Sequence, residues 1–317
     1  MKNVRQLVWM LFFLLILASC SRRELLDGFP VVTVQVTFDW SGIDEASSLP
    51  EGMRMVFYPK DVGRDKVDVL LPVDGGEVEL PLGNYSVVAY NYDTEVVNIR
   101  GDESYETIEA YTGTCRVGAT GTEKMVWEPD ALYVVNIDQL EIKENEGVLQ
   151  LPLQPKGIVK TYPFSLKAKG LNNVASAWGS VDGMAECYFL GKARGVCRQS
   201  SVYFDAGKSS EAIEGNFSTF GPPDEAVSRA GREIVMTVKL MKVDRSVQEV
   251  KLDITQVVIP SQEGSGTVSP PGIPPSIELP EGNQIEVEDA LPLPGGGGIG
   301  GDVGDWDDEE EVVLPMK

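Results

Sequence analysis

The sequence predicts an all-β protein of two sandwiches in tandem, and three observations carry that prediction. From Val31 to Trp40 apolar and polar residues alternate without a break: Val32, Val34, Val36, Phe38 and Trp40 share one face, and Thr33, Gln35, Thr37 and Asp39 the other. A period of two over ten residues rich in β-branched side chains is the pattern of a half-buried strand. Similar short runs recur as far as Val258 between Pro and Gly turns, a spacing that suits antiparallel sandwiches. Residues 30–260 are also too long for one ordinary sandwich and about right for two.

Each element follows from its own residues. Met53 to Tyr58 reads as a second strand, stopped by Pro59; Glu77 to Leu80 as a third; Tyr85 to Asn91 as a fourth. Pro81 and Gly83 set a tight turn before Tyr85. A charged stretch, Lys143-Glu144-Asn145-Glu146-Gly147, separates this set from the next, so the first sandwich is expected over 30–145 and the second over 146–260. In the second set Ile158, Tyr162, Phe164 and Leu166 fall on one face, and Pro163 marks an edge strand or a bulge. Leu171 to Trp178 allow one or two helical turns. Ala185–Leu190 and Val196–Phe204 form a hairpin around Lys192. A longer hairpin, Glu233–Met241 with Val247–Val258, closes the set.

The first nineteen residues have another character. Lys2 and Arg5 precede twelve apolar residues, Leu7 to Ala18, and then Ser19 and Cys20. A basic start, a short apolar run and small residues before a cut are the layout of a secretory signal over 1–19. Twelve apolar residues are too few for a bilayer span, which needs about 20. With Cys at the first mature position the pattern resembles the lipobox of bacterial lipoproteins. Cys20 is then the lipidated residue, residues 20–29 are a tether, and attachment to the outer membrane comes from acyl chains.

Composition excludes several chemistries. The chain carries 49 acidic and 27 basic residues, a net charge of −22, and loss of Lys2 and Arg5 with the signal makes it −24. Such a charge repels nucleic acid phosphates, so no nucleic acid partner is expected. There is no histidine, which removes Ser-His-Asp and Cys-His catalysis and His-ligated zinc. The phosphate-cradling P-loop and the Gly-x-Ser-x-Gly elbow are both missing. No catalytic residue, metal or cofactor is expected, and the chain reads as a non-enzyme.

Three cysteines follow Cys20. A three-residue turn centred on Lys192 would place Cys187 and Cys197 opposite each other for a disulfide. A five-residue turn from Gly191 to Gly195 would not, and would leave buried thiols. From Pro260 to Gly301, 18 of 42 residues are Pro or Gly. Residues 261–317 therefore read as a flexible Pro/Gly-rich acidic tail. Within it Gln284–Val287 and Glu311–Pro315 are islands able to add as strands to an open sheet edge. The carboxylates around Trp306 lack the spaced ladder and turn glycine of a calcium loop.

Several segments together resemble one group of Bacteroidetes lipoproteins. They are Cys20-Ser21-Arg22-Arg23-Glu24-Leu25, Asp39-Trp40-Ser41, Val56-Phe57-Tyr58-Pro59, Leu80-Pro81-Leu82-Gly83-Asn84-Tyr85, Tyr90 to Glu95, Glu109-Ala110-Tyr111, Gly183-Met184-Ala185 and Asp305-Trp306. The group is a domain of unknown function similar to fimbrillins and to minor-fimbrium anchor subunits. The resemblance implies two tandem transthyretin-like β-sandwich domains on a lipid anchor, joined to fimbrial subunits by strand addition. Arg22 and Arg23 sit beside the lipid, where cleavage would release the protein. An anchor or accessory role in a surface fimbria and cell adhesion therefore suits better than a shaft subunit. Ser21-Arg22-Arg23 stands where an acidic export cluster would be, leaving the cell surface and the periplasmic face both open. The alternative is a glycan-binding outer-membrane lipoprotein of polysaccharide uptake, with Tyr90, Tyr92 and Tyr111 as its platform.

Overall fold

A computed structural model of the chain describes residues 30–43, 48–116, 124–144, 147–195, 199–223, 233–259 and 275–289. Cys20, Cys197, Trp306 and the 311–315 island lie outside the described residues. Strands dominate, and the fold is all-β and sandwich-like, as expected.

The first sandwich is built of two sheets. One has the order β10–β1–β4, from β1 (Val31–Phe38), β4 (Gly75–Pro81) and β10 (Leu149–Leu153). The other has the order β11–β9–β5–β2–β3, from β2 (Gly52–Pro59), β3 (Val67–Pro72), β5 (Gly83–Asn91), β9 (Tyr133–Ile142) and β11 (Lys156–Gly157). Val34, Val36 and Phe38 of β1 point inward onto Met53, Met55 and Phe57 of β2 and Val87 and Ala89 of β5. Residues 53–58 do not alternate in polarity because β2 is covered on both faces. Val56 and Tyr58 lie in a second buried cluster on the far side, with Val88, Tyr90, Ile108 and Leu132.

What covers that far side is a small sheet drawn from both halves of the chain. It has the order β15–β14–β7–β6, from β6 (Asn98–Arg100), β7 (Glu109–Tyr111), β14 (Cys187–Phe189) and β15 (Arg194–Gly195). Its seam pairs Cys187 with Tyr111, Tyr188 with Ala110 and Phe189 with Glu109. Ala185, Leu190 and Phe220 pack into the same cluster as Val56 and Tyr90.

The second sandwich follows one continuous hydrogen-bonded path, β19–β18–β13–β16–β17–β12–β20. Its strands are β12 (Lys160–Lys169), β13 (Val174–Ala185), β16 (Gln199–Lys208), β17 (Ala212–Thr219), β18 (Val235–Lys242), β19 (Val247–Asp253) and the short β20 (Ile277–Glu278). Strand β16 turns the corner between layers: it pairs with β13 as far as Ala206, then with β17 through Gly207 and Lys208. Aromatic rings fill the interior. Tyr162 stacks on Phe217 at 5.2 Å, and Phe164 meets Phe204 edge-on at 5.2 Å. The 242–246 hairpin forms as expected, with Met241 opposite Val247.

Three expectations need correction. Leu171–Asn173 makes a single 3₁₀ turn, but Val174–Trp178 is strand, because β13 finds partners in both β16 and β18. Pairing also crosses position 145 in both directions. The strand β8 (Met125–Trp127) joins β16 of the second sandwich, while β10 and β11, after that position, complete the first. Strands on both sides of the charged stretch thus belong to the first sandwich. Finally, residues 275–289 are folded onto the second sandwich. Ile277, Ile285 and Val287 are buried, since this part of the Pro/Gly-rich stretch spaces its apolar residues to meet β12.

Candidate functional site

The candidate site is the flank of the second sandwich at β12, where the sheet path ends in short strands. Strand β12 is ten residues long and bonded to β17 along one side from Lys160 to Lys167. Among the described residues its other side holds β20, at Phe164 and Ser165, and β21 (Ile285–Glu286), at Ala168 and Lys169, both parallel. Pro163, which donates no backbone hydrogen bond, sits just ahead of the first of these pairings. That agrees with the edge-strand reading.

The 277–288 segment is held by more than these pairs. The Val287 amide donates to the Lys169 carbonyl at 3.1 Å. Gln248 on β19 reaches across, donating to the Glu286 carbonyl at 2.8 Å and accepting from the Glu288 amide at 3.0 Å. Buried Lys242 pairs with Glu288 at 3.4 Å. The segment therefore straps the β12 edge of one layer to the β18–β19 edge of the other. Beside it opens a cleft of about 710 Å³ lined by Lys167, Lys169, Lys208, Ser209, Asn172 and Gln284, among others.

A polar cluster fastens the bridging sheet to the first sandwich. Arg54 on β2 donates to Asp68 at 3.0 Å and 2.5 Å, to Asp102 at 2.8 Å and to the Tyr90 hydroxyl at 2.6 Å. The hydrogen bond from Arg54 holds the Asp102 carboxyl below its ordinary range, with Lys66 adding to the effect. Burial pushes the Tyr58 and Tyr90 hydroxyls upward. Tyr58 donates to the Asp102 carbonyl at 3.0 Å, and Lys66 to the same oxygen at 2.7 Å. These groups are spent on one another, so the cluster positions the 101–108 loop rather than presenting free chemistry.

The tyrosines expected to form a glycan platform do not share a surface. Tyr90 is buried, Tyr111 lies half-buried under the Arg100 guanidinium at 4.4 Å, and Tyr92 is exposed. The end of the strand explains it: Tyr90 and Tyr92 bracket the end of β5, where the chain leaves the sheet.

Cys187 is a free, buried thiol that donates to Glu109 at 3.3 Å. Burial, with that hydrogen bond, pushes it up to about 12, so the thiol stays protonated and unreactive at neutral pH. Register explains its partners. Phe189 faces Arg194 and Tyr188 faces Gly195, so the turn is centred between Gly191 and Lys192. Its other neighbour is Tyr111.

Sequence reasoning missed the junction residues. Glu128 accepts from the Ser218 amide at 3.0 Å, and its carboxyl is raised by burial. Trp127 meets Tyr203 edge-on at 5.4 Å, and Thr112 donates to the Trp127 carbonyl at 2.6 Å. Three-residue strands leave no period to read. Among the described residues no group of Cys, Asp and Glu is arranged to hold a metal.

Comparison with known proteins gives the chain its relatives. Over its full length it is 45% identical, across 335 aligned residues, to a Bacteroides ovatus protein named "Putative fimbrium anchoring subunit Fim4B", which is also covered in full. A crystal structure of a "putative adhesin" from Bacteroides ovatus is 43% identical and superposes with a TM-score of 0.70, covering 86% of this chain and 98% of the other. The fimbrial anchor protein Mfa2 of Porphyromonas gingivalis is far more distant, at 14% identity and a TM-score of 0.47, covering 74% of this chain and 86% of the other. The profile of the domain of unknown function DUF5119 matches residues 19–205. By that match and by the full-length relative, this chain belongs to the DUF5119 family.

Proposed function

We propose that this chain is an anchor or accessory subunit of a surface fimbria, held in the outer membrane by acyl chains on Cys20 and acting in adhesion without catalysis. The observation that carries the reading is the full-length 45% identity to a protein named as a fimbrium anchoring subunit. The sequence supports the membrane end of the reading: a basic start, twelve apolar residues and Cys20 are what lipid attachment requires. Two or more acyl chains give stable attachment where one is marginal.

The fold supports strand addition as the mode of joining. Among the described residues, four of the ten in β12 are paired on the open side, which leaves backbone for an incoming strand. Main-chain bonds would supply affinity, and pockets for alternate side chains of the incoming strand the specificity. Crosslinking in cell envelopes followed by mass spectrometry tests this. A β-subunit crosslinked to residues near β12 or to 275–317 is the expected product. Envelopes in which the protein is recovered only as an uncrosslinked monomer would remove the fimbrial reading.

A further inference from the structure

We propose that β1 is a mechanical clamp that resists tension arriving through the N-terminal tether. The inference rests on the reading of Cys20 as the point of attachment, since among the described strands β1 is then the first to feel a pull. Its geometry comes from the sheet alone. Strand β1 is the middle strand of its sheet, bonded to β10 on one side and β4 on the other. It is paired in parallel with β10 from Val34–Leu149 to Phe38–Leu153, and antiparallel to β4 from Val31–Pro81 to Thr37–Gly75.

The parallel pairing fixes how tension acts. A pull on the tether draws β1 toward its Val31 end. The chain leaving β10 at Leu153 runs on through Lys156 and Gly157 into the second sandwich, so resistance from that side draws β10 the opposite way. The two strands are pulled past each other along their length. All five ladder positions must yield together, instead of opening one at a time from an end. Sliding would also lift Val34 and Val36, both fully buried, out of the core before water could replace their contacts. Because β1 has a neighbour on each side, it offers no bare edge from which to peel. Forced unfolding is governed by the barrier to leaving the native state, and interactions broken at that barrier raise it.

The test is single-molecule pulling on the full mature chain carrying Cys20→Ser. In one arrangement handles sit at the two termini. In the other they sit at the N-terminus and at residue 148, beside the start of β10 and at the same end of the parallel pair as the tether, so that β10 peels. The first sandwich is identified by its released length, about 400 Å for the roughly 120 residues from Val31 to Leu153. Its rupture force is expected to be at least about twofold higher end to end than with the handle at 148, because five pairs break together in the first case and in succession in the second. Equal forces in the two arrangements would overturn the clamp.

A second variant keeps the test independent of folding yield. Gln35 and Gln150 face each other across the pair. Gln35→Cys with Gln150→Cys should form a disulfide that shortens the release by the roughly 115 residues between them, about 400 Å, restored on reduction. Full release from the oxidised protein would show that the register, and with it the clamp, is wrong. Neither experiment uses the lipid. A directional clamp in a protein that fails to fractionate with membranes would remove the tether reading alone, and a lipid-held protein without directionality would remove the clamp alone.

Discussion

Replacing Phe217 with Ala should weaken the whole molecule, including the sandwich in which Phe217 does not lie. The ring is fully buried, stacked on Tyr162 at 5.2 Å and beside Phe204 at 5.7 Å. Truncating a buried Phe costs about 3–5 kcal/mol, and the cavity here would be bounded by rigid rings that collapse poorly. With an m-value of about 3 kcal/mol/M in urea, the unfolding midpoint falls by about 1–1.5 M. The pairing of β7 with β14 and of β8 with β16, together with Phe220 and Leu190 in the first sandwich's outer cluster, binds the two halves into one cooperative unit. Hydrogen exchange read by mass spectrometry along a urea series reports each half from its own peptides. Peptides from β1 and β2 should lose protection at the same lowered midpoint as peptides from β12 and β17. If the β1 and β2 midpoint stayed at its wild-type value, the halves would be independent domains and the reasoning from strand exchange would fail.

Other substitutions probe single interactions. Gly179→Ala places a methyl carbon 2.3 Å from the Phe204 ring and 2.5 Å from the Thr237 carbonyl oxygen, so thermal unfolding should show a loss of about 1–3 kcal/mol. Asp102→Asn removes a partly exposed ion pair and should cost about 1 kcal/mol at pH 7. Asp102 is held below the ordinary carboxyl value of 3.8, so its contribution is present above that value and lost as pH falls below it; the difference between variant and wild type should shrink there. Cys187 has the opposite sign. Its folded value is raised from 9.0 to about 12, so the stability it lends is complete below pH 9 and is lost as pH rises toward 12, and Cys187→Ala should flatten that alkaline decline in a urea titration.

Where the chain repeats a period, its structure was legible. The alternation from Val31 to Phe38 names the buried face of β1 correctly, because one side of that strand meets the core. The edge character of β12 was readable from Pro163, and the strand-forming island at Gln284–Val287 from its Ile and Val. What could not be read was partnership. Strands β6, β7, β8 and β14 are three residues each, and the pairings of β7 with β14 and of β8 with β16 join residues about 76 to 80 positions apart, so nothing local marks them. The boundary at 145 followed a real run of charge, yet Leu149–Leu153 alternates weakly and its assignment to β1 is decided by tertiary pairing. The aromatic platform failed because the strand ends at Asn91: Tyr90 stays in the sheet and buried, while Tyr92, just past its end, is exposed.

The anchoring account meets its most direct test in cells in which the chromosomal copy carries Cys20→Ser. Fimbriae are quantified on washed cells and in the cell-free medium by immunoblot and electron microscopy. If this chain holds a fimbria to the outer membrane through its lipid, fimbriae move from the cells to the medium while their total amount is unchanged. Fimbriae retained on the mutant cells at the wild-type level would contradict the account.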